Sequence, residues 1–540
     1  MGNIQIHYTQ KFLDKHNVDL MAIYEEQSSS NDNFYAKRYL RMKMPYLFVG
    51  EADGQVGFAN AGGISDYANK SIVARLNYDY SNKYLFGANF RRDGSSHFLP
   101  DKQWDNFYSF EAGWRLSEEG FIKNNFSFVD NLKIRGTWGR LGQDSSNLYE
   151  YLDGYNYPST GGSRENGYPN GYFFGSSYVP TMAVRGTANK TISWLEIYST
   201  NIGIDLDIYK GLFGITAEVF QRTRDGLYAR RDVELPATFG SDMPQENLNG
   251  DLNKGLEIEL RHRNRINGLT YGLTGNVSIT RHMRTTNVHT PYNNSYSAWR
   301  NNREERYSDI WWGYGIGGRY QSLEEINRFH IQNDVNALPG DYYYEDWNND
   351  GVIDNDDYHP IATTTNPDDG QKQNYPLMYF ALNGNLQYKG FDFDFMFQGA
   401  AMSYVGYGNQ LTSPLAWDGN ALSHLMDRWH PADVDANPYN PSTVWVQGEY
   451  GYGGTSADGN SRFMIQNGAY VRLKTATLGY TLPHKLLKTY KIQDLRFYVT
   501  GYNLFTITGV KTVDPEKSAE QDGAMYPLNR TVNFGVSVKF

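Results

Sequence analysis

Apolar and polar residues alternate along many stretches of this chain, and the last ten residues show the pattern most clearly. In residues 531–540 the apolar side chains would all fall on one face of an extended strand, and the polar ones on the other. The apolar face carries Phe534, Val536, Val538 and Phe540. A strand of about ten residues with one apolar and one polar face is what a transmembrane β-barrel uses to cross a membrane. The segment therefore predicts a C-terminal barrel signal.

The same alternation recurs along the whole chain. In residues 391–397 four phenylalanines alternate with Asp392, Asp394 and Met396, which is typical of a strand with one face toward lipid and one toward water. We expect Phe391, Phe393, Phe395 and Phe397 to face lipid. The alternation predicts 15 strands, near residues 4–12, 18–27, 71–80, 83–92, 105–116, 132–140, 194–208, 212–227, 252–264, 269–282, 378–388, 391–403, 469–482, 495–505 and 530–540.

Short and long connections alternate between these strands. Short turns are predicted at residues 14–17, 81–83, 209–211, 267–268 and 389–390, and Asn267-Gly268 is a strong hairpin signal. Long polar loops are predicted near residues 28–70, 93–104, 141–192, 228–251, 283–377, 404–467 and 506–528. If the last strand runs toward the periplasm, every short turn falls on the periplasmic side, as in outer-membrane barrels.

These features predict an all-β fold, an antiparallel transmembrane β-barrel with long extracellular loops. A secreted protein of several β domains is the alternative, but connections this long are unusual in such proteins. Bacterial barrels usually have an even number of strands. Either a further strand lies near residues 306–320, or other strands belong to an N-terminal portion.

Composition narrows the choice of class. The 540 residues carry a net charge of −10, which argues against a nucleic-acid binder. There is no cysteine, so disulfides and thiolate metal sites are excluded. No apolar run approaches the roughly 18 residues of a transmembrane helix. The 44 tyrosines and 54 glycines suit aromatic girdles and many turns.

Several motifs, in the right order, resemble segments of the SusC/RagA family of TonB-dependent outer-membrane transporters. They are residues 90–96, 112–119, 130–136, 253–257, 388–393, 428–431, 470–474, 502–505 and 526–530. The resemblance covers nearly the whole chain. It implies transport without catalysis, in the outer membrane of a Gram-negative bacterium of the Bacteroidetes type.

The resemblance also implies what lies outside this chain. Family members have a signal peptide, a TonB box, a plug domain and a barrel of about 22 strands. Residues 1–540 would be the C-terminal portion of such a barrel, with plug, TonB box and signal peptide absent from this chain. We expect an N-terminal barrel and plug portion, from the same gene or a second polypeptide. The plug would provide the contact with TonB.

The family resemblance further implies uptake of oligosaccharides, or less often peptides, beneath a SusD-like surface lipoprotein that acts as a lid. The alternative function is a surface-exposed glycan-binding or adhesive β protein without transport. A secreted polysaccharide hydrolase is a third class. The chain has no G-x-S-x-G elbow and no H-E-x-x-H motif, and no carboxylate pair stands out for glycoside hydrolysis.

One motif in the long loop 283–377 carries ion chemistry. Residues 346–357 place oxygen-bearing side chains at positions 1, 3, 5, 9 and 12 of a 12-residue loop, with Gly351 at position 6. This spacing predicts a structural Ca²⁺ (or Mg²⁺) site made of Asp346, Asn348, Asp350, the Val352 carbonyl, Asp354 and Asp357. A solvated Asp/Asn/Gly turn is the alternative. The ion would hold an extracellular loop in place.

Two loops are crowded with aromatic residues. The first contains Tyr149, Tyr151, Tyr155, Tyr157, Tyr168, Tyr172, Phe173 and Phe174, and the second contains Trp445, Tyr450 and Tyr452. Exposed aromatic rings stack on sugars and anchor protein interfaces, so these residues are candidates for substrate or lid contact. Packing of each loop against itself is the alternative.

Overall fold

A computed structural model describes residues 1–32, 34–40, 51, 53, 55–59, 65–146, 149–156, 171–180, 183–184, 186–231, 238, 243–328, 336–363, 376–407, 409–415, 420–453, 461–490, 492–516 and 528–540. Its main feature is one antiparallel sheet in which 15 long strands follow chain order, each paired with the next. They are β1 (Gly2–Phe12), β2 (His16–Asn31), β3 (Ser65–Tyr80), β4 (Tyr84–Ser95), β5 (Trp104–Arg115), β6 (Val129–Gln143), β7 (Leu195–Ile208), β8 (Phe213–Arg230), β9 (Gln245–Ile266), β10 (Leu269–Thr286), β11 (Met378–Tyr388), β12 (Phe391–Ala401), β13 (Tyr470–Thr481), β14 (Asp494–Thr508) and β15 (Thr531–Lys539).

The 15 strands predicted from the alternation are confirmed. A sixteenth, Arg306–Tyr307, is only two residues long and pairs with β10 off the main path. It lies in the region where a further strand is expected, but it is too short to cross a membrane.

The two faces of the sheet separate apolar from charged side chains. On β12 the rings of Phe393, Phe395 and Phe397 follow one another along one face, with successive centroids 5.6 and 5.7 Å apart. Asp392 belongs to the other face, where Arg496 Nε of β14 donates to its carboxylate at 2.9 Å. This arrangement fits the predicted register, with a lipid-facing apolar side and a polar lumen.

The predicted short turns all leave the sheet at one end, the turn end, together with the connections 116–128 and 482–493. Every connection longer than these leaves at the other end, the loop end. The hairpin between β9 and β10 has both central residues in the left-handed region, Asn267 at φ 49° and Gly268 at φ 85°. This is the conformation that lets a two-residue turn follow the twist of the strands. The predicted short turns are therefore in place.

The connections contain shorter elements. Two-stranded pairs are Phe34–Lys37 with Val56–Ala59, Tyr155–Asn156 with Ala183–Val184, Gly171–Phe174 with Ser177–Pro180, Ile310–Gly313 with His359–Thr363, Ile316–Arg319 with Tyr342–Tyr344, Tyr404–Gly406 with Ile465–Asn467, and His430–Pro431 with Trp445–Val446. The α-helices are Gly120–Lys123, Ser295–Asn301, Leu323–Arg328, Asn409–Thr412 and His484–Leu487. The 3₁₀ turns are Leu116–Glu118, Asn355–Asp357, Ser423–Met426, Arg462–Met464 and Lys488–Tyr490. Within the described residues, no helix combines the length and apolarity needed to cross a membrane.

Buried apolar side chains collect among the long connections. One small core consists of Phe98, Phe107, Ile192 and Trp194, and another of Val405, Tyr407, Leu411 and Val510. Each joins residues from two or more connections. The loop end is therefore packed, and candidate functional residues are held by this packing.

Candidate functional site

Arg319 joins two of the long connections at the loop end. Its strand, Ile316–Arg319, is paired with Tyr342–Tyr344, and its guanidinium lies 4.3 Å from the centroid of the Tyr342 ring. Nη1 of Arg319 donates to the Gly448 carbonyl at 2.7 Å, and Nη2 donates to the Glu449 carbonyl. Burial lowers the pKa of Arg319, which is held by ring faces and carbonyl oxygens.

Trp429 packs into the same junction. The Arg319 guanidinium is 6.0 Å from its ring centroid, and Gly340, at φ 95°, approaches the ring from the other connection. A Cβ at position 340 would lie 2.2 Å from the indole, so a side chain there would displace Trp429. The connections 287–377 and 402–469 therefore meet through close packing.

A third connection, between β14 and β15, packs against the connection 402–469. Lys511 Nζ lies 2.8 Å from Glu449 Oε2, and the Tyr407 hydroxyl accepts from the backbone N–H groups of Lys511 and Thr512 at 3.3 and 3.4 Å. Val510 completes the apolar core around Tyr407. We call these three packed connections the loop assembly. It consists of the described residues within 295–377, 402–469 and 509–516.

Arg472 fixes the loop assembly to the wall of the sheet. It lies on β13, is almost fully buried, and donates from Nη2 to both Asp514 oxygens at 2.7 and 2.8 Å. Its Nη1 pairs with Glu516, which Lys474 also contacts at 2.6 Å. Two cations and two carboxylates thus form a closed cluster at the outer end of β13.

The predicted ion loop has the backbone of a tight turn. Asp346 accepts from the N–H groups of Asp350 and Gly351 at 3.1 and 2.9 Å, and Asn349 and Gly351 have positive φ. Asp350 accepts from Val352 N at 2.8 Å and from Asn348 Nδ2 at 3.0 Å. Asp346, Asn348 and Asp350 therefore lie on one turn with their oxygens close together.

Asp357 and Asp354 have a different role in this loop. Asp357 is fully buried, and its carboxylate accepts from Trp347 N at 2.8 Å and Asp354 N at 2.9 Å. Asp354 caps the 3₁₀ turn by accepting from Asp356 N at 2.8 Å. In the described part of the chain, no three His, Cys, Asp or Glu side chains gather closely enough to hold a metal ion. The oxygen-rich donor set suits Ca²⁺, and the metal site stays a prediction.

The predicted aromatic contacts divide into exposed and packed residues. Tyr155 is 64 % exposed and Phe174 is 70 % exposed, whereas Tyr149 and Tyr151 form an edge-on pair at 6.2 Å. Tyr157 and Tyr168 lie outside the described residues, and only the backbone of Tyr172 and Phe173 is described.

Tyr450 does not fit the predicted contact role. Its ring is 4 % exposed and packs against His424 and Phe463, and burial raises the pKa of Tyr450 to about 12. Trp445 is half-buried and lies edge-on to Tyr452 at 5.6 Å. Of this second cluster, only the Trp445 and Tyr452 side chains keep partial access to solvent.

Three residues that organise the loop assembly carry no predicted role: Arg319, Trp429 and Arg472. Trp429 and Arg472 lie inside motifs that resemble family segments, at residues 428–431 and 470–474. A signal for Arg472 exists in the sequence, because it occupies a polar-face position of a predicted strand. Its acidic partners are 42 and 44 residues away, and no periodicity connects them.

No family model matches the chain. Among curated proteins it is 25% identical to the TonB-dependent receptor SusC of Bacteroides thetaiotaomicron over 558 residues, which cover 100% of this chain and 50% of that protein. It is 24% identical to the TonB-dependent receptor P3 of Formosa agariphila over 563 residues, covering 98% of this chain and 51% of that protein. The chain thus spans about half the length of the curated relatives it matches.

Among solved structures, the chain is similar to one described as the RagAB peptide transporter, with a TM-score of 0.73 and 17% identity, covering 100% of this chain and 55% of that one. The fold is thus that of an all-β, antiparallel outer-membrane barrel, and the predicted fold class is confirmed. The chain is SusC/RagA-like, a relative of the TonB-dependent receptors, and its place is the outer membrane of a Bacteroidetes-type bacterium. These relatives are named receptors and transporters, not enzymes. The boundary between barrel and plug stays a prediction.

Proposed function

We propose that the chain forms part of a TonB-dependent importer that takes up oligosaccharides or peptides through the outer membrane. The similarity to a structure described as a peptide transporter supports the peptide class, and the resemblance of the sequence motifs to SusC/RagA segments supports the oligosaccharide class. The plug and further barrel strands, from the same or another polypeptide, would complete the importer and contact TonB.

The loop assembly is the observation that carries this proposal. Three long connections are packed through Arg319, Trp429 and Arg472 into one body at the loop end, instead of extending separately into solvent. A packed body can hold a binding surface in a fixed position above a barrel mouth.

A SusD-like lipoprotein is the proposed lid. The connection that contains Trp429 leaves Met426 77 % exposed and Val434 85 % exposed, with Val444 also largely exposed. Exposed apolar side chains grouped on one segment are a feature of protein interaction surfaces. Tyr155 and Phe174, in the connection between β6 and β7, are proposed to contact substrate, because exposed rings stack on sugars and on peptide side chains.

We also propose that residues 346–357 bind one structural Ca²⁺. Asp346, Asn348, Asp350, the Val352 carbonyl, Asp354 and Asp357 would hold the ion, and the Asp357 carboxylate also accepts hydrogen bonds from backbone amides of the loop. The ion would neutralise carboxylates that otherwise repel one another on this turn.

Uptake by cells tests the proposed function. Cells that carry the complete transporter gene are given fluorescent oligosaccharides or fluorescent peptides, with and without a protonophore. We expect accumulation of one class, abolished by the protonophore, because TonB uses the proton gradient. Accumulation that persists without the gradient would indicate passive diffusion, and a lack of any uptake would favour the adhesive alternative.

A further inference from the structure

The two ends of the sheet differ in charge. Seven connections lie at the turn end: residues 13–15, 81–83, 116–128, 209–212, 267–268, 389–390 and 482–493. They contain eight lysines and no arginine, against three acidic residues, although the whole chain has a net charge of −10. Basic residues are therefore concentrated at the turn end, which is the periplasmic end in outer-membrane barrels.

The most basic of these connections, residues 482–493, is hydrogen-bonded at both ends to the neighbouring strands. Leu482 N donates to Leu495 O at 2.9 Å, Gln493 N donates to Lys539 O at 2.7 Å, and the Leu487 side chain is buried. The short helix His484–Leu487 continues into the 3₁₀ turn Lys488–Tyr490. In the described residues, the segment is thus hydrogen-bonded at both of its ends to β14 and β15.

Its outward-facing side chains combine charge with one apolar group. Lys485 and Lys488 are exposed, and Leu486 between them is 60 % exposed. Across the described residues, neither ammonium group has a carboxylate within ion-pair distance. Two lysines without counter-charges beside an exposed leucine are a combination that suits the boundary between lipid headgroups and acyl chains.

The neighbouring strands place this segment at that boundary. The Phe391 and Tyr480 rings pair at 4.5 Å on the strand ends that lead into the turn end, and Phe497 on β14 is 48 % exposed. Aromatic belts of this kind mark the membrane–water interface in outer-membrane barrels. Residues 482–493 begin just beyond this belt.

We propose that residues 482–490 bind anionic phospholipid headgroups of the periplasmic leaflet. Lys485 and Lys488 contact the phosphates, and Leu486 enters the acyl boundary. The proposal rests on the orientation of the barrel and not on uptake, so it can fail while the proposed function holds. Each lysine near an anionic membrane surface contributes about fivefold in affinity, and two contribute about 25-fold.

Native mass spectrometry of the complete transporter, purified in detergent, tests this with phosphatidylglycerol and phosphatidylcholine as probes. The test variant is Lys485→Gln with Lys488→Gln. The control is Lys102→Gln with Lys190→Gln, two exposed lysines in loop-end connections, so both variants lose the same charge. Heat-modifiable gel migration verifies that each variant is folded.

We expect phosphatidylglycerol to bind the wild type and the control more tightly than phosphatidylcholine does, and to lose about 25-fold in the test variant. Equal phosphatidylglycerol affinity in all three proteins would overturn the proposal. Displacement of the lipid by an equal concentration of inorganic phosphate would show that soluble phosphate is the ligand, and would also overturn it. If only poly-glutamate binding depends on the two lysines, the surface is for an acidic protein and the lipid assignment is wrong.

Discussion

Replacing Arg472 with methionine should release the connection between β14 and β15 from the wall of the sheet. The native cluster is neutral, with Arg472 and Lys474 opposite Asp514 and Glu516. Methionine fills much of the volume but leaves one carboxylate in excess. Because Arg472 is buried and both acidic side chains are largely so, removal of one partner should cost on the order of 3–5 kcal/mol.

Such a loss corresponds to an increase of roughly two to nearly four orders of magnitude in local opening. Hydrogen exchange of the backbone amides in residues 509–516 measures it directly. Arg328→Met is the control, because its pair with Glu324 is exposed and such pairs contribute about 0.3–0.5 kcal/mol.

A second substitution distinguishes charge imbalance from lost packing. Adding Asp514→Asn to the Arg472→Met variant restores neutrality, since Lys474 still balances Glu516. We expect most of the protection to return. The reasoning is refuted if Arg472→Met exchanges as slowly as the wild type, or if the double variant opens as much as the single one.

Three further predictions follow from individual side chains. Phe395→Arg should destabilise the barrel by about 2–4 kcal/mol in guanidinium titrations in lipid vesicles, and Phe395→Leu by much less; equal values would place this residue away from lipid. Asp350→Ala should contain one divalent ion fewer than the wild type in elemental analysis, with the exposed Asp433→Ala as control, and equal metal content would remove the metal hypothesis. Burial raises the pKa of Tyr450 to about 12, so its contribution to loop stability should be complete below pH 10 and lost as the pH rises through about 12; in Tyr450→Phe this alkaline loss of amide protection should be absent.

The membrane-crossing part of the fold is predictable because two solvents act on each strand. Lipid selects apolar residues on one face and water selects polar ones on the other, so the alternation reveals the strand. Beyond the bilayer this selection stops. Residues 65–70 and 245–251 belong to β3 and β9, yet the sequence places them in loops, because both of their faces meet water or protein.

The loop assembly is less predictable for a related reason. Its strands are two to five residues long and pair with partners distant in sequence, as Ile310–Gly313 does with His359–Thr363. A run of three or four residues carries no readable period. Aromatic crowding in the sequence does not separate the buried Tyr450 from the exposed Tyr155.

The contacts that hold the loop assembly differ in strength, so we expect them to break in a definite order. The Lys511–Glu449 pair is exposed, so solvent and salt screen it and it contributes little. Arg319 is held by carbonyls and aromatic faces, which salt affects weakly. The Arg472 cluster is buried and can be broken only by leaving a charge unpaired. The assembly can therefore loosen at its outer contacts while its base stays attached to β13.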